Sequence, residues 1–411
     1  MALKQRLNTL RQQAGAAAPA RGDDGTGPAL RERLARMRVG QGAAPGGAAV
    51  AGDPHELARV LGADVVAPGV LRLDVGHRDH ARHGKAALPG PDARLAFPGL
   101  PDLPLAATGF LDTETSGLAG GTGTIAFNIG LLRRHRDGWQ ARQYLLTGFG
   151  GEAAMLDALA EDLRGLDGLA TYNGGSFDLP LLRDRYRLNG VATPPLPATH
   201  VDLLHPVRRL FARRWPDCRL ATTEAALLGL WRQDDLPGSA VPGVWFDWVH
   251  RGRGERMQDV LRHNRLDILS LLVLAPRLGE VVAYPWGWNA DCRGAAEAWH
   301  RAGDEARALD CLQRAPQLDA RAQLERARLL RRQRRTEEAV AIWHALAGEG
   351  DPRAAEHLAK FYEHVRRDPV TAMRWADRLP SGPDKERRLA RLRGRVVSGH
   401  TLALEFETPT G

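Results

Sequence analysis

Apolar positions are sparse over residues 1–56, fall into strand and helix periods over residues 108–285, and become purely helical from Cys292 onward. In the first stretch only Leu3–Gln12 and Leu30–Met37 carry a helical pattern. The rest, rich in Ala, Gly, Pro and Arg, buries too little apolar surface to offset chain entropy. Residues 1–56 are therefore predicted to be a mostly disordered basic arm, a linker that also carries enough charge to touch nucleic acid. Residues 57–107 hold one strand-like run, Val70–Val75, and are expected to pack as an extension on the domain that follows. His77, His80 and His83 stand three apart, a metal-ligand spacing on a helix. The Pro89-Gly90-Pro91 run close by points to a loop instead.

Phe110–Thr113, Ile125–Arg133 and Gln140–Thr147 predict a meander of neighbouring strands. A helix is predicted over Ala153–Leu163, a short strand over Gly168–Tyr172 and a helix over Leu179–Leu188. Val201–Leu204 fits either a strand or a helix start, and Leu220–Leu228 and Met257–Leu274 read as helices. The order predicts an α/β mixed sheet with flanking helices over residues 108–285. Further on, Glu305-Ala306-x-x-Leu309, Glu338-Ala339-x-x-Ile342 and Thr371-Ala372-x-x-Trp375 recur every 33 residues. A small residue followed three places later by a bulky one suits stacked two-helix units, so residues 290–395 are predicted to form an all-α repeat domain. A final helix and tail should follow from residue 381.

A length of 411 residues suggests two or three domains. The formal charge of +8 favours a polyanionic partner without identifying it. Arg321–Arg335 holds seven arginines and one glutamate, which suits a nucleic-acid-facing surface or a solvated helix face equally. Cys218, Cys292 and Cys311 are scattered, which argues against disulfides and a cysteine zinc site and suits a reducing cytoplasm. Met1–Gln13 lacks the apolar core of a secretory signal, and no run reaches the roughly 18 apolar residues of a membrane span.

The candidate chemistry is carboxylate. Gly109–Leu118 reads as a strand that delivers Asp112 and Glu114 to one face, two residues apart, before Thr115-Ser116-Gly117 breaks it and Gly120, Gly121 and Gly123 open a loop. Two acids side by side repel, and a shared divalent cation is the usual remedy; two solvated acids at a strand end would look the same. In Thr171–Asp178 a strand ends, a Gly174-Gly175 turn follows, and Asp178 stands at a helix start, where an N-cap alone would explain it. On the last strong helix His263 and Asp267 are four apart and share a face, as ordinary surface pairs also do.

Taken in order, Asp-x-Glu on a strand, Asn-x-x-x-Phe-Asp at a strand-to-helix turn and His-x-x-x-Asp on a late helix resemble the three motifs of the DEDD exonuclease superfamily. That superfamily has a ribonuclease H-like fold. With the His200–Leu204 and Asp234–Pro242 runs added, the chain resembles more closely the YprB-type ribonuclease H-like proteins over residues 105–285. The later units resemble divergent tetratricopeptide repeats. The resemblance implies that Asp112, Glu114, Asp178 and Asp267 bind two divalent ions, Mg²⁺ or Mn²⁺, that clamp a phosphodiester. By the same analogy His263 is the general base, and Thr115, Asn173 and Phe177 line the terminal-nucleotide pocket. One departure stands out: the histidine precedes the last acid by four positions, the spacing of the tyrosine-type enzymes rather than the five of the histidine type. A positioning role for His263 therefore stays open beside the base role. Asp202 reads as structural.

The expected function is a 3′–5′ exonuclease on DNA or RNA, with a protein partner possible on the helical repeats. Two rival readings fit the same residues: a non-catalytic nucleic-acid-binding adaptor, and an endonuclease of ribonuclease H type.

Overall fold

The computed structural model describes residues 51–117, 123–190, 196–197 and 199–405, with side chains up to residue 397. The expected helices at Leu3–Gln12 and Leu30–Met37 lie outside the described residues, as do Leu118, Gly120 and Gly121. The expected arm ends earlier than residue 56. Helix α1 (Pro54–Leu61) starts inside it, because Asp53 caps the His55 N–H, Pro54 pre-sets the first turn, and Leu57 and Ala58 are buried.

Seven strands form one mixed sheet: β1 (Asp64–Ala67), β2 (Val70–Arg78), β3 (Thr108–Thr115), β4 (Ala126–His135), β5 (Gly138–Leu146), β6 (Gly168–Thr171) and β7 (Thr199–Asp202), in the order β1-β2-β5-β4-β3-β6-β7. β3, β4 and β5 are the predicted meander, antiparallel throughout; β6 and β7 join parallel to β3 and to each other. The extension contributes more than a packed appendage. β2 pairs with β5 from Val70↔Leu146 to Arg78↔Gly138, so residues 64–78 belong to the sheet.

Alternation along the strands divides the apolar residues between two cores. Phe110, Leu132 and Ala170 belong to one, and their neighbours Leu111, Leu131 and Leu169 to the other. The second core is closed by α2 (Glu152–Leu163), α3 (Asp178–Leu188) and α5 (Val241–Arg251). Helix α4 (Leu204–Phe211) follows β7, so the ambiguous run at Val201–Leu204 is a strand end and a helix start together. Helix α5 is not visible in the sequence pattern, since Pro242 and Gly243 interrupt its start. It is held by Trp245 and Trp248, whose indole N–H groups donate to the Leu146 and Thr147 carbonyls at 2.7 and 2.9 Å.

Leu220–Leu228 is not one regular helix. A turn of α-helix over Leu220–Thr223 passes into a π-helical turn over Glu224–Leu228, which Gly229 ends at φ +58°. Helix α6 (Met257–Ala283) runs 27 residues and continues through Pro276, because Leu278, Val281 and Val282 extend its buried stripe past the predicted end. It crosses β3 and β4 and brings His263, Asn264 and Asp267 to the site.

The C-terminal region is all helix: α7 (Cys292–Arg301), α8 (Glu305–Gln313), α9 (Ala320–Arg332), α10 (Thr336–Gly348), α11 (Pro352–His364), α12 (Pro369–Asp377) and α13 (Pro383–Glu405). Each of the three sequence motifs falls at the start of the second helix of a pair. The small buried residues are Ala308, Ala339 and Ala372, each fully buried at the fourth position of its helix. The 33-residue register therefore fails at the first unit: Ala306 is exposed, and Ala308 takes its place. The apolar cluster of these helices is continuous with that of α6 and the sheet, and the Asp291 N–H donates to the Leu210 carbonyl at 2.7 Å. Three of the seven arginines in 321–335 are held in ion pairs, Arg328 with Glu325, Arg332 with Glu305 and Arg335 with Glu338.

Candidate active site

The site forms at the end of β3. Asp112 lies opposite Gly130 on β4, and Gly130 lies opposite Gln143 on β5. A side chain at the middle position would fill the row. Glycine leaves it open, and Asn264 of α6 enters: a Cβ on Gly130 would overlap the Asn264 amide oxygen. Asn264 Nδ2 donates to Asp112 Oδ2 at 2.9 Å and to the Asp112 carbonyl at 3.2 Å. Its Oδ1 accepts from Gln143 Nε2 at 2.9 Å, and Gln143 also donates to the Leu261 carbonyl at 2.8 Å. The amide of Asn264 is thus oriented by its neighbours, with donor toward Asp112 and acceptor toward Gln143. A register shift between Glu114 and Thr115 ends the regular ladder at the second acid, a device common beside active sites.

Asp178 arrives from α3. It is the first residue of that helix, one place later than an N-cap, and its carboxylate accepts from the hydroxyl of Thr113, which stands between the two strand acids. The turn before it is tightly built. Asn173 has φ +66°, a left-handed conformation that asparagine tolerates better than most residues. Asp202 accepts from the Asn173 and Gly175 N–H groups at 2.7 and 3.1 Å, and from Leu204 N at 3.1 Å, so it shapes the turn. A Cβ on Gly174 would come within 2.8 Å of Asp178 Oδ2. Phe177 projects into solvent, 57% exposed. Asn173 and Thr115 are half-buried, and the Thr115 hydroxyl donates to the Gly117 carbonyl at 3.0 Å.

His263 and Asp267 come from the adjoining turns of α6. Donor atoms of Glu114, His263 and Asp267 lie within 4.8 Å of one another, the group among the described residues with the spacing to hold a metal ion. His77, His80 and His83 do not form one: His77 lies on β2, and His83 is buried with its Nε2 at 2.7 Å from Ser270 Oγ. His263 Nδ1 is 2.8 Å from Asp235 Oδ2. Burial works against ionisation of Asp235, but Arg232 and His263 outweigh it and hold the carboxyl below its ordinary range. An ionised carboxylate only accepts, so Nδ1 carries a hydrogen, and Nε2 is the ring nitrogen turned toward the acids, 3.8 Å from Asp267 Oδ2.

Arg232 has no counterpart in the sequence reading. Its guanidinium grips Glu224 through two bonds, at 2.5 and 2.8 Å, donates to Asp235 at 3.0 Å, and pairs with Asp267. Glu224 is buried on the π-helical turn and also accepts from Ser270. Burial opposes the Arg232 charge, but Asp267 and Glu224 more than compensate and raise its pKa. An isolated glycine within the β4 pattern was the one sequence signal for Asn264. Arg232 and Glu224 gave none, and Asp235 stood only within the Asp234–Pro242 run, because a loop and an irregular turn bring the three together.

Desolvation pushes the Asp112 carboxyl well above the ordinary range, and the Asp267, Asp178 and Glu114 charges push it further. Glu114 rises to about 7, chiefly by desolvation, with His263 pulling it back and Asp267 adding to the rise. Asp178 rises to about 6 by desolvation, against the pull of Thr113. Acids in this state are short of positive charge. An oxygen-rich set with one imidazole nitrogen beside it fits a hard divalent cation such as Mg²⁺ or Mn²⁺.

Comparison with known proteins bears on the fold that carries these residues. The RNase H superfamily signature matches residues 109–278, a span that contains every acid above. A protein of Bacillus subtilis (strain 168), named "Uncharacterized protein YprB", is 31% identical over 281 residues, which cover 65% of this chain and 68% of that protein. The chain belongs to the YprB family of the RNase H superfamily. Membership supports nuclease-type hydrolysis of nucleic acid, in a superfamily that generally uses divalent metals. Among solved structures, the family B DNA polymerase from the hyperthermophilic archaeon Pyrobaculum calidifontis aligns with 59% of this chain at 15% identity and a TM-score of 0.35. The chain spans about a third of the length of that polymerase, 34%, and so loose a likeness carries no functional weight. No helix among the described residues is long and apolar enough to cross a membrane.

Proposed function

We propose that this YprB-family protein is a metal-dependent 3′–5′ exonuclease acting on DNA or RNA. The observation that carries the reading is the meeting of Glu114, His263 and Asp267 within 4.8 Å, from a strand and a helix some 150 positions apart. In this reading Asp112, Glu114, Asp178 and Asp267 hold two divalent ions. When bound, the ions generate a hydroxide from water and steady the departing 3′ oxygen. The chain supplies the rest. Asn264 and Thr113 fix the Asp112 and Asp178 carboxylates. His263, locked at Nδ1 by Asp235, presents Nε2 to the same pocket, where it takes the proton of the attacking water or orients that water. Exposed Phe177, with Thr115 and Asn173, lines the place of the terminal nucleotide. We read the helix pairs α7 to α12 as tetratricopeptide-like repeats that hold a protein partner or guide the strand.

Oligonucleotides labelled at the 5′ or the 3′ end, incubated with Mg²⁺ or Mn²⁺, test this. A 3′–5′ exonuclease converts the 5′-labelled strand to a ladder, releases the 3′ label at once as a mononucleotide, and leaves a circular strand intact. A cut circle would favour the endonuclease. Binding without any cleavage would favour the adaptor.

A further inference from the structure

Trp231 is 73% exposed, the most exposed large apolar side chain among the described residues. An indole left so far in water forgoes a large hydrophobic gain, and such surface marks contact sites. Its neighbour explains why the ring stays near the acids. Arg232 is fastened to Glu224, Asp235 and Asp267, so the backbone beneath Trp231 is tied to the carboxylate cluster rather than free on a loop. Beside the indole lies a cavity of about 580 Å³, within the range of small-ligand sites. Ala225, Ala226 and Leu230 make its apolar wall, and Glu224 and Arg232 its polar end.

We propose that Trp231 and this cavity form a nucleobase subsite, in which one base of the substrate strand stacks on the indole while its backbone runs toward Glu114, His263 and Asp267. The inference rests on the nuclease reading above and deepens it. The occupant follows from the chemistry: an aromatic face with an apolar wall accepts any base. Stacking needs a base whose face is not already covered. The subsite therefore selects an unpaired strand over a closed duplex.

The test is fluorescence anisotropy of a short labelled phosphorothioate thymidine strand, which resists cleavage, titrated with full-length protein in Mn²⁺. The same titration is run with a strand of abasic sugars. Trp231→Ala is expected to weaken the thymidine strand about 5- to 150-fold, the equivalent of about 1–3 kcal/mol of stacking. Trp231→Phe is expected to restore most of the affinity, and the abasic strand to bind wild type and Trp231→Ala alike. Unchanged thymidine binding by Trp231→Ala overturns the subsite, as does an equal loss on both strands. Because the wild type is also assayed for cleavage, those results leave the nuclease reading standing. A wild type that neither binds nor cuts any strand removes that reading first, and the subsite with it.

Discussion

Asn264 donates a 2.9 Å hydrogen bond to the Asp112 carboxylate across the gap left by Gly130. The bond joins the long helix to the first acid, and Gln143 fixes its direction from the other side. Asn264→Leu should lower the cleavage rate about 10- to 100-fold, the scale seen when residues that orient metal ligands are removed. It should also destabilise the fold by about 1–3 kcal/mol, because Gln143 loses a buried partner. Gly130→Ala should reproduce both effects without touching either partner, since the new methyl displaces the Asn264 amide. Urea unfolding and single-turnover cleavage of both variants check this.

Arg232 serves three carboxylates, one of them the fully buried Glu224. Arg232→Met should therefore cost about 3–5 kcal/mol, most of it from the charge left buried. Adding Glu224→Gln should recover part of that loss. A double-mutant cycle by denaturant unfolding reads the coupling, and a second substitution that only adds to the damage would count against the pairing.

His83 gives a pH dependence with a definite sign. Burial, helped by the Arg232 charge, lowers its pKa to about 4 from an ordinary value near 6.5. Ser270 gives its hydrogen to Glu224, so it accepts from His83 Nε2–H, and a second proton on the ring finds no partner there. The unfolded chain binds a proton at His83 as pH falls through 6.5, whereas the folded chain resists until about 4. Stability from this residue is complete above pH 6.5 and is lost progressively toward 4. His83→Gln should flatten that part of the stability-against-pH curve, measured as the difference from wild type in metal-free buffer.

Cation binding should stabilise the fold. Mn²⁺ at about one hundred times its dissociation constant should add about 2.7 kcal/mol per site. Calorimetric melting with Mn²⁺ and with EDTA measures it, and Asp267→Asn should abolish most of the difference while leaving the EDTA midpoint near wild type or lower.

The strand acids were legible because their placement is local: two residues apart on a strand means one face, whatever the rest of the fold does. Asp178 was legible for a similar reason, since the Gly174-Gly175 turn announces a strand-to-helix corner. Residues that depend on a loop closing against a helix were not. Arg232 and Glu224 are eight positions apart on an irregular turn with no period to read, and Asp235 appeared only as part of a run. The offset between Ala306 and Ala308 has a related cause: repeat spacing is set by loop lengths between helices, and the first interval is two residues shorter. Residues 64–78 looked like an extension because a sheet edge carries no mark of which strand will pair with it.

Cleavage by Asp112→Ala plus Glu114→Ala, set beside wild type on one end-labelled strand in Mn²⁺, probes the account at its root. Wild type should degrade the strand and the double variant should leave it whole, while both melt cooperatively. A double variant that keeps cutting at the wild-type rate would show that these carboxylates are not the ones that hold the cations.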